Sequence, residues 1–225
     1  MGSAIGQVLS FGVGVALSPV PIIAVVLMLT TPHGRVNGPA FIAGWIFGLA
    51  VAGTILLLAA SGAEASSSGA PAEWVSIVKI VLGVLLLSLA VRQWRGRPQG
   101  DAEPELPAWM KTIDTFTPLK AAGMAVLLSA VNPKNLILVV GAAAAIAQTG
   151  ASTGDQAVAL AVFVLLGTLG PGIPVGIYFL MRNRAAAILA SLRGWMAREN
   201  TTIMAVLCLI IGAKLIGDAI SSLTV

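Results

Sequence analysis

Lys134 has the strongest claim to chemistry in this sequence. It stands in Asn132-Pro133-Lys134-Asn135, within an apolar stretch over 119–147 and far from both of its ends. An ammonium at that depth cannot easily snorkel to water, and insertion scales set its cost at about 2.5 to 3.5 kcal/mol. Two roles would offset such a cost: lining the path of an anionic substrate, or pairing with backbone carbonyls where a helix is broken. Ser18-Pro19-Val20-Pro21 interrupts another apolar stretch in the same way. A proline in mid-span removes a backbone hydrogen bond and frees polar groups that lipid cannot satisfy. Ser18 and Asn132 suit the N-cap, and Pro19 and Pro133 suit the first helical position, so a new half-helix is expected to start at each.

Helix N-termini carry free N–H groups and the positive end of the helix dipole. Two of them entering from opposite sides would converge on a pocket selective for negative charge. The expected substrate-binding set is therefore Ser18, Pro19, Pro21, Asn132, Pro133, Lys134 and Asn135. The competing reading is a pair of proline kinks that only bend packed helices. A third disruption is expected at Gly170, Pro171, Gly172 and Pro174, as a hinge or a site of close helix approach. Lys214 and Asp218, four apart on one helix face, form either an intrahelical pair or a proton-coupling site. Lys79, near the end of its stretch, is expected to snorkel.

No H-E-x-x-H pair, carboxylate pair, P-loop or Ser/His/Asp set is present, so the sequence gives no support for an enzyme. No cofactor or metal site is expected either. His33 reads as a loop histidine, and Cys208 has no second cysteine to pair with.

These residues need apolar elements to hold them. Of 225 residues, 57% are hydrophobic and 10% charged, and the mean hydropathy is +0.96, which excludes a water-soluble domain. Charge-free runs before Arg35, over 36–63 and over 156–181 each exceed the roughly 20 residues that cross a bilayer. Stretches 74–91, 119–147 and 201–223 carry isolated charges, which makes six spans. The first lacks the basic flank of a signal peptide and is expected to stay in the mature protein.

The net charge of +4 reflects topology rather than nucleic-acid binding. Ten basic residues follow spans one, three and five: Arg35; Arg92, Arg95, Arg97, Lys111 and Lys120; Arg182, Arg184, Arg193 and Arg198. By the positive-inside rule both termini face out and the 92–118 loop faces the cytoplasm. Anionic lipid would be a second partner for these charges.

The halves share a pattern: each opens with a broken span, and IVLGVLLL from Ile80 aligns with LIIGAKLI from Leu209. The expected fold is all-α and integral to the membrane, with six spans as two inverted three-helix repeats and helices one and four broken. Residues 1–91 form the first repeat, 92–118 a cytoplasmic loop and 119–225 the second repeat. Within that loop, Trp109, Ile113 and Phe116 recur at helical spacing, as do Ile188, Leu189, Leu192 and Trp195 further on. Each group marks a short helix lying in the interface or packed on the bundle. Ser61 to Ala72 reads as a flexible linker. Gly44 and Gly48, like Gly172 and Gly176, are spaced for tight helix contacts, within the chain or across a homodimer.

The stretch PAWMKTIDTFTPLKAAGMAVLLSAVNPKNLILVVGAA, with SPVPIIAVVLML and LIIGAKLIG, resembles the mycobacterial GAP and Sap proteins. Those are the glycopeptidolipid and sulfolipid addressing proteins, a branch of the LysE transporter superfamily. The resemblance runs over nearly the whole chain and places Asn132, Pro133 and Lys134 on the superfamily's Asn-Pro-Lys signature. It implies a plasma-membrane protein that helps move envelope lipids toward the surface. Combined with the anion-selective pocket, this gives an exporter or flippase for an amphipathic lipid or lipid-linked precursor. The rivals are an exporter of small amino acids or ions, which a cation beside Lys134 disfavours, and a scaffold that recruits envelope-lipid synthesis proteins.

Overall fold

The computed structural model describes residues 2–66, 73–96 and 108–223. Those residues are almost entirely helical. Helices α1 (Gly2–Ala16) and α2 (Pro19–Leu29) meet at a 51° bend over Leu17 and Ser18. Helices α3 (Gly34–Ser66) and α4 (Glu73–Arg95) complete the first half. After a 3-10 segment at Ala108–Thr115 come α5 (Pro118–Val126) and a π-helical turn at Leu127–Val131. Then α6 (Pro133–Ala147) follows at a 59° bend. Helices α7 (Thr153–Leu180) and α8 (Ala185–Leu223) end the chain.

By length and composition α3, α4, α7 and α8 can each cross a membrane, and six crossings result if each bent pair is one span. With several such apolar helices, this is a multi-pass membrane protein. Helix α4 packs along α8, α1 along α7, and α5 along α3. The core at these seams includes Phe11, Phe41, Trp45 and Phe163, all fully buried. Leu58, Leu165 and Ile210 point outward as lipid-facing residues must.

Gly44 and Gly48 belong to the seam between α3 and α5. A Cβ on Gly44 would strike the backbone of Ala122, and one on Gly48 would strike Ser129. Their spacing therefore serves packing within the chain. Gly172 has only Thr168 of its own helix nearby, and Gly176 has open space around it, so that pair makes no tight contact within the chain.

Three local expectations change. Helix α7 runs unbroken through Gly170, Pro171, Gly172 and Pro174, so the sequence there interrupts no helix. Gly170 has the other role expected of this segment, close helix approach to α1, because a Cβ on it would collide with the Ala16 carbonyl. The amphipathic segment from Ala185 and the last span are one 39-residue helix. Arg193 and Arg198, counted with the residues that follow span five, both lie within it. Residues 61–66 continue α3 as helix, while 67–72 lie outside the described residues.

The expected helix in the 92–118 loop is present in part, as the 3-10 segment; 97–107 lie outside the described residues. It docks on the bundle rather than lying free: Met110 and Ile113 are buried, and Asn37 Nδ2 donates to the Phe116 carbonyl at 2.8 Å.

Candidate functional site at the two helix breaks

At the first break, Ser18 N–H turns to the Val15 carbonyl at 3.2 Å rather than to that of Gly14, its regular helical partner. The Gly14 carbonyl is thereby released inside an apolar bundle, where an unpaired polar group is costly. Lys134 meets it. Its Nζ donates to Gly14 O at 2.9 Å and to Ser18 Oγ at 3.2 Å. The lysine is only 5% exposed and Ser18 4%, so the ammonium is enclosed by protein. Among the described residues no carboxylate pairs with it.

The second break is built differently. Asn132 N–H reaches back five residues to Leu127 O at 3.0 Å, closing the π turn. Its side chain caps α6, with Oδ1 accepting from Lys134 N–H at 3.1 Å. Pro133 offers no N–H. Asn135, fully buried, donates from Nδ2 to Leu128 O at 2.9 Å, a carbonyl that the π turn leaves without its usual i+4 donor. Asn135 Oδ1 has no partner among the described residues.

The residues expected to act together are therefore neighbours: Lys134 of α6 bonds Ser18 at the other break, 116 positions away. Two details differ from expectation. Ser18 does not cap α2; its oxygen faces the ammonium instead. Pro19 and Pro21 leave Val20 and Ile22 as the only N–H groups in the first four residues of α2, so that end is a poor amide nest. The positive character of the site rests on Lys134.

The Gly14 carbonyl escaped the sequence reading. A carbonyl freed four residues ahead of Ser18, just before Pro19, is its only signal.

The other charged residues lie apart from this centre. Lys214 and Asp218 are paired at 2.5 Å with both side chains partly exposed. Lys214 also reaches Gln7 Oε1 at 3.4 Å and lies 5.5 Å from the centre of the Phe11 ring. Both contacts tie the C-terminal part of α8 to α1. Lys79 does not snorkel. It is buried at 4% exposure and donates to Gln148 Oε1, at the C-terminal end of α6. A cation there is favoured by the negative end of the helix dipole.

An apolar groove of about 310 Å³ adjoins the first break, between α1, α2, α7 and α8. Gly170 and Pro174 are part of its wall.

These features define the class: a polytopic α-helical membrane protein with two discontinuous helix pairs joined by a buried lysine. Within that class the chain belongs to the family of Sap, sulfolipid-1-addressing protein, whose family model matches residues 8–221. No curated protein and no solved structure matches the chain.

Proposed function

We propose that this protein moves an amphipathic envelope lipid, or a lipid-linked precursor with an anionic headgroup, across the plasma membrane as a secondary-type exporter or flippase. The observation that carries this reading is Lys134, an ammonium between two helix breaks whose acceptors are a carbonyl and a hydroxyl rather than a carboxylate. Such a cation keeps its full charge available to an anion. An entering headgroup would replace Gly14 O and Ser18 Oγ on Nζ, loosening the α1–α2 break as it binds. Among the described residues Asn135 Oδ1 is a buried acceptor without a partner, suited to a sugar hydroxyl. The family's name supports an envelope lipid as cargo, and a sulfolipid headgroup is an anion of the required kind. The arrangement described is occluded; transport needs the breaks to open to each side in turn.

The inverted repeat and LysE-type ancestry belong to the same proposal. Exchanging the halves turns α1 on α7 into α5 on α3, α2 on α8 into α6 on α4, and α2 on α7 into α6 on α3. The α4–α8 and α3–α7 contacts map onto themselves. The contact of α1 with α6 has no counterpart of like extent, and it is where Lys134 is seated. Inverted repeats with broken helices at the midplane are a recurrent transporter plan.

For orientation, we propose both termini outside, because the basic loop residues gather on one side. With Cys208 replaced by Ser, a cysteine at Gly154 should label from outside in intact cells and one at Gly96 should not. The reverse pattern would invert the topology.

The function is tested by comparing surface-exposed with cell-associated lipids in a strain lacking the protein. One anionic lipid class should shift to the cell-associated fraction and return on complementation. An unchanged distribution would remove the transport reading in favour of a scaffold for lipid synthesis.

A further inference from the structure

The groove beside the first break is apolar throughout its useful length. Leu17 and Ile22 flank Ser18 on one wall, Leu169 and Ile173 of α7 form another, and Leu192 and Met196 of α8 close it. Leu169 and Ile173 remain more than half exposed. The groove does not end there. Leu192 also borders a shallow depression on α8, shared with Ile188 and the half-exposed Trp195. Through Leu192 the two depressions adjoin, so that apolar surface runs along α8 from Ala187 to Met196 and on to the residues next to Ser18, with Arg193 and Arg198 on the same stretch of helix.

We infer that this track holds the acyl chain of an anionic membrane lipid and delivers its headgroup to Lys134. This deepens the function proposed above and rests on it. Three observations select the occupant. The walls offer aliphatic groups, so a polar ligand would lose its hydrogen bonds there. The volume of about 310 Å³ sits at the small end of ligand sites, roughly 300 to 1,000 Å³, which suits one flexible chain. Positive charge flanks the track without lining it: Arg193 and Arg198 stand on α8 within two residues of Leu192 and Met196, and the Lys134 ammonium lies beyond Leu17 on Ser18. Such a ligand enters sideways from the leaflet, so its tail never leaves an apolar environment.

The test uses the purified full-length protein in nanodiscs containing phosphatidylglycerol with a diazirine in its acyl chain. A parallel sample carries phosphatidylcholine with the same chain. After photolysis, adducts should concentrate on peptides bearing Leu17, Leu169–Ile173 and Leu192–Met196. Enrichment over the outward face of α4 around Val81 and Val84 should be roughly tenfold, the ratio given by about 1.4 kcal/mol of preferential binding. Phosphatidylglycerol should label more than phosphatidylcholine. Ile173→Trp or Leu169→Trp should fill the groove and remove the enrichment.

Even labelling of all outward faces, or equal labelling by the two lipids, would overturn the inference, as would protection of these peptides by a second copy in a dimer. Labelling is read without transport. Focused labelling with export indifferent to Lys134 would leave the groove standing and refute the headgroup reading. Even labelling with Lys134-dependent export would do the opposite.

Discussion

If the proposed function holds, replacing Lys134 with Ala should leave a protein that inserts and extracts normally and yet moves lipid roughly 10- to 100-fold more slowly, the loss expected when a charge-assisted contact is removed. Two terms of opposite sign govern stability. Removing the buried ammonium relieves an insertion cost of about 2.5 to 3.5 kcal/mol. It also leaves the Gly14 carbonyl and Ser18 hydroxyl without their donor, at about 1 to 3 kcal/mol for a buried unsatisfied group. The two nearly cancel, so folding should hardly change while the proposed anion site loses its ammonium. Lys134→Arg should be intermediate, keeping charge but not fitting the space at Gly14 and Ser18. Lys79→Ala is the control: Gln148 loses its buried donor, so yield should fall while export per folded molecule stays constant. Size-exclusion profiles and surface-lipid measurements on the same cells separate these outcomes. If Lys134→Ala unfolds the protein but spares export per folded molecule, the lysine only plugs the broken helix.

The second large effect concerns packing. Gly170→Ala should sharply lower thermal stability, because the new methyl meets the Ala16 carbonyl, a backbone atom that cannot swing aside. Overpacking costs typically about 1 to 3 kcal/mol and occasionally more, and a backbone obstacle puts this site at the upper end. The same change at Gly172 or Gly176 meets nothing closer than Thr168. There it should be neutral or stabilise by up to about 1 kcal/mol through helix propensity. Three glycines within seven residues thus give opposite signs, measurable as detergent-solubilised melting curves. Equal destabilisation at all three would mean that the α1–α7 seam does not depend on close approach.

These cases show which features sequence reasoning can reach. The two breaks were legible because Pro19 and Pro133 each follow a residue of the type that caps helices, Ser18 or Asn132, inside an apolar run, a local pattern with a local cause. Lys134 was legible from its distance to either end of its span. Its actual acceptors were not, since Gly14 lies 120 positions away and becomes an acceptor only through the turn at Ser18. Pro171 and Pro174 carried the same local signal as Pro19 but break nothing. Both are buried on α7, where neighbouring helices can support the backbone that a proline disturbs. Arg193 and Arg198 were counted with the connection before the last span, yet Arg is a good helix former and the chain passes through both as helix. Lys79 was judged by its nearness to the span end. Its place at the C-terminus of α6 depends on tertiary structure, which periodicity cannot supply.

The bond from Lys134 to Gly14 also bears on how the chain is made. Spans enter the membrane in order of synthesis, so α1 and α2 arrive long before the residue that completes them. Until α6 is in place, the Gly14 carbonyl has neither its helical partner nor the ammonium, and the first bend lacks its fastener. The N-terminal half must therefore wait in the bilayer as an unfinished unit, held by the insertion machinery or by water at the bend. Its geometry becomes final only after α6 has brought the ammonium to Gly14 and after α7, made later still, has packed along α1.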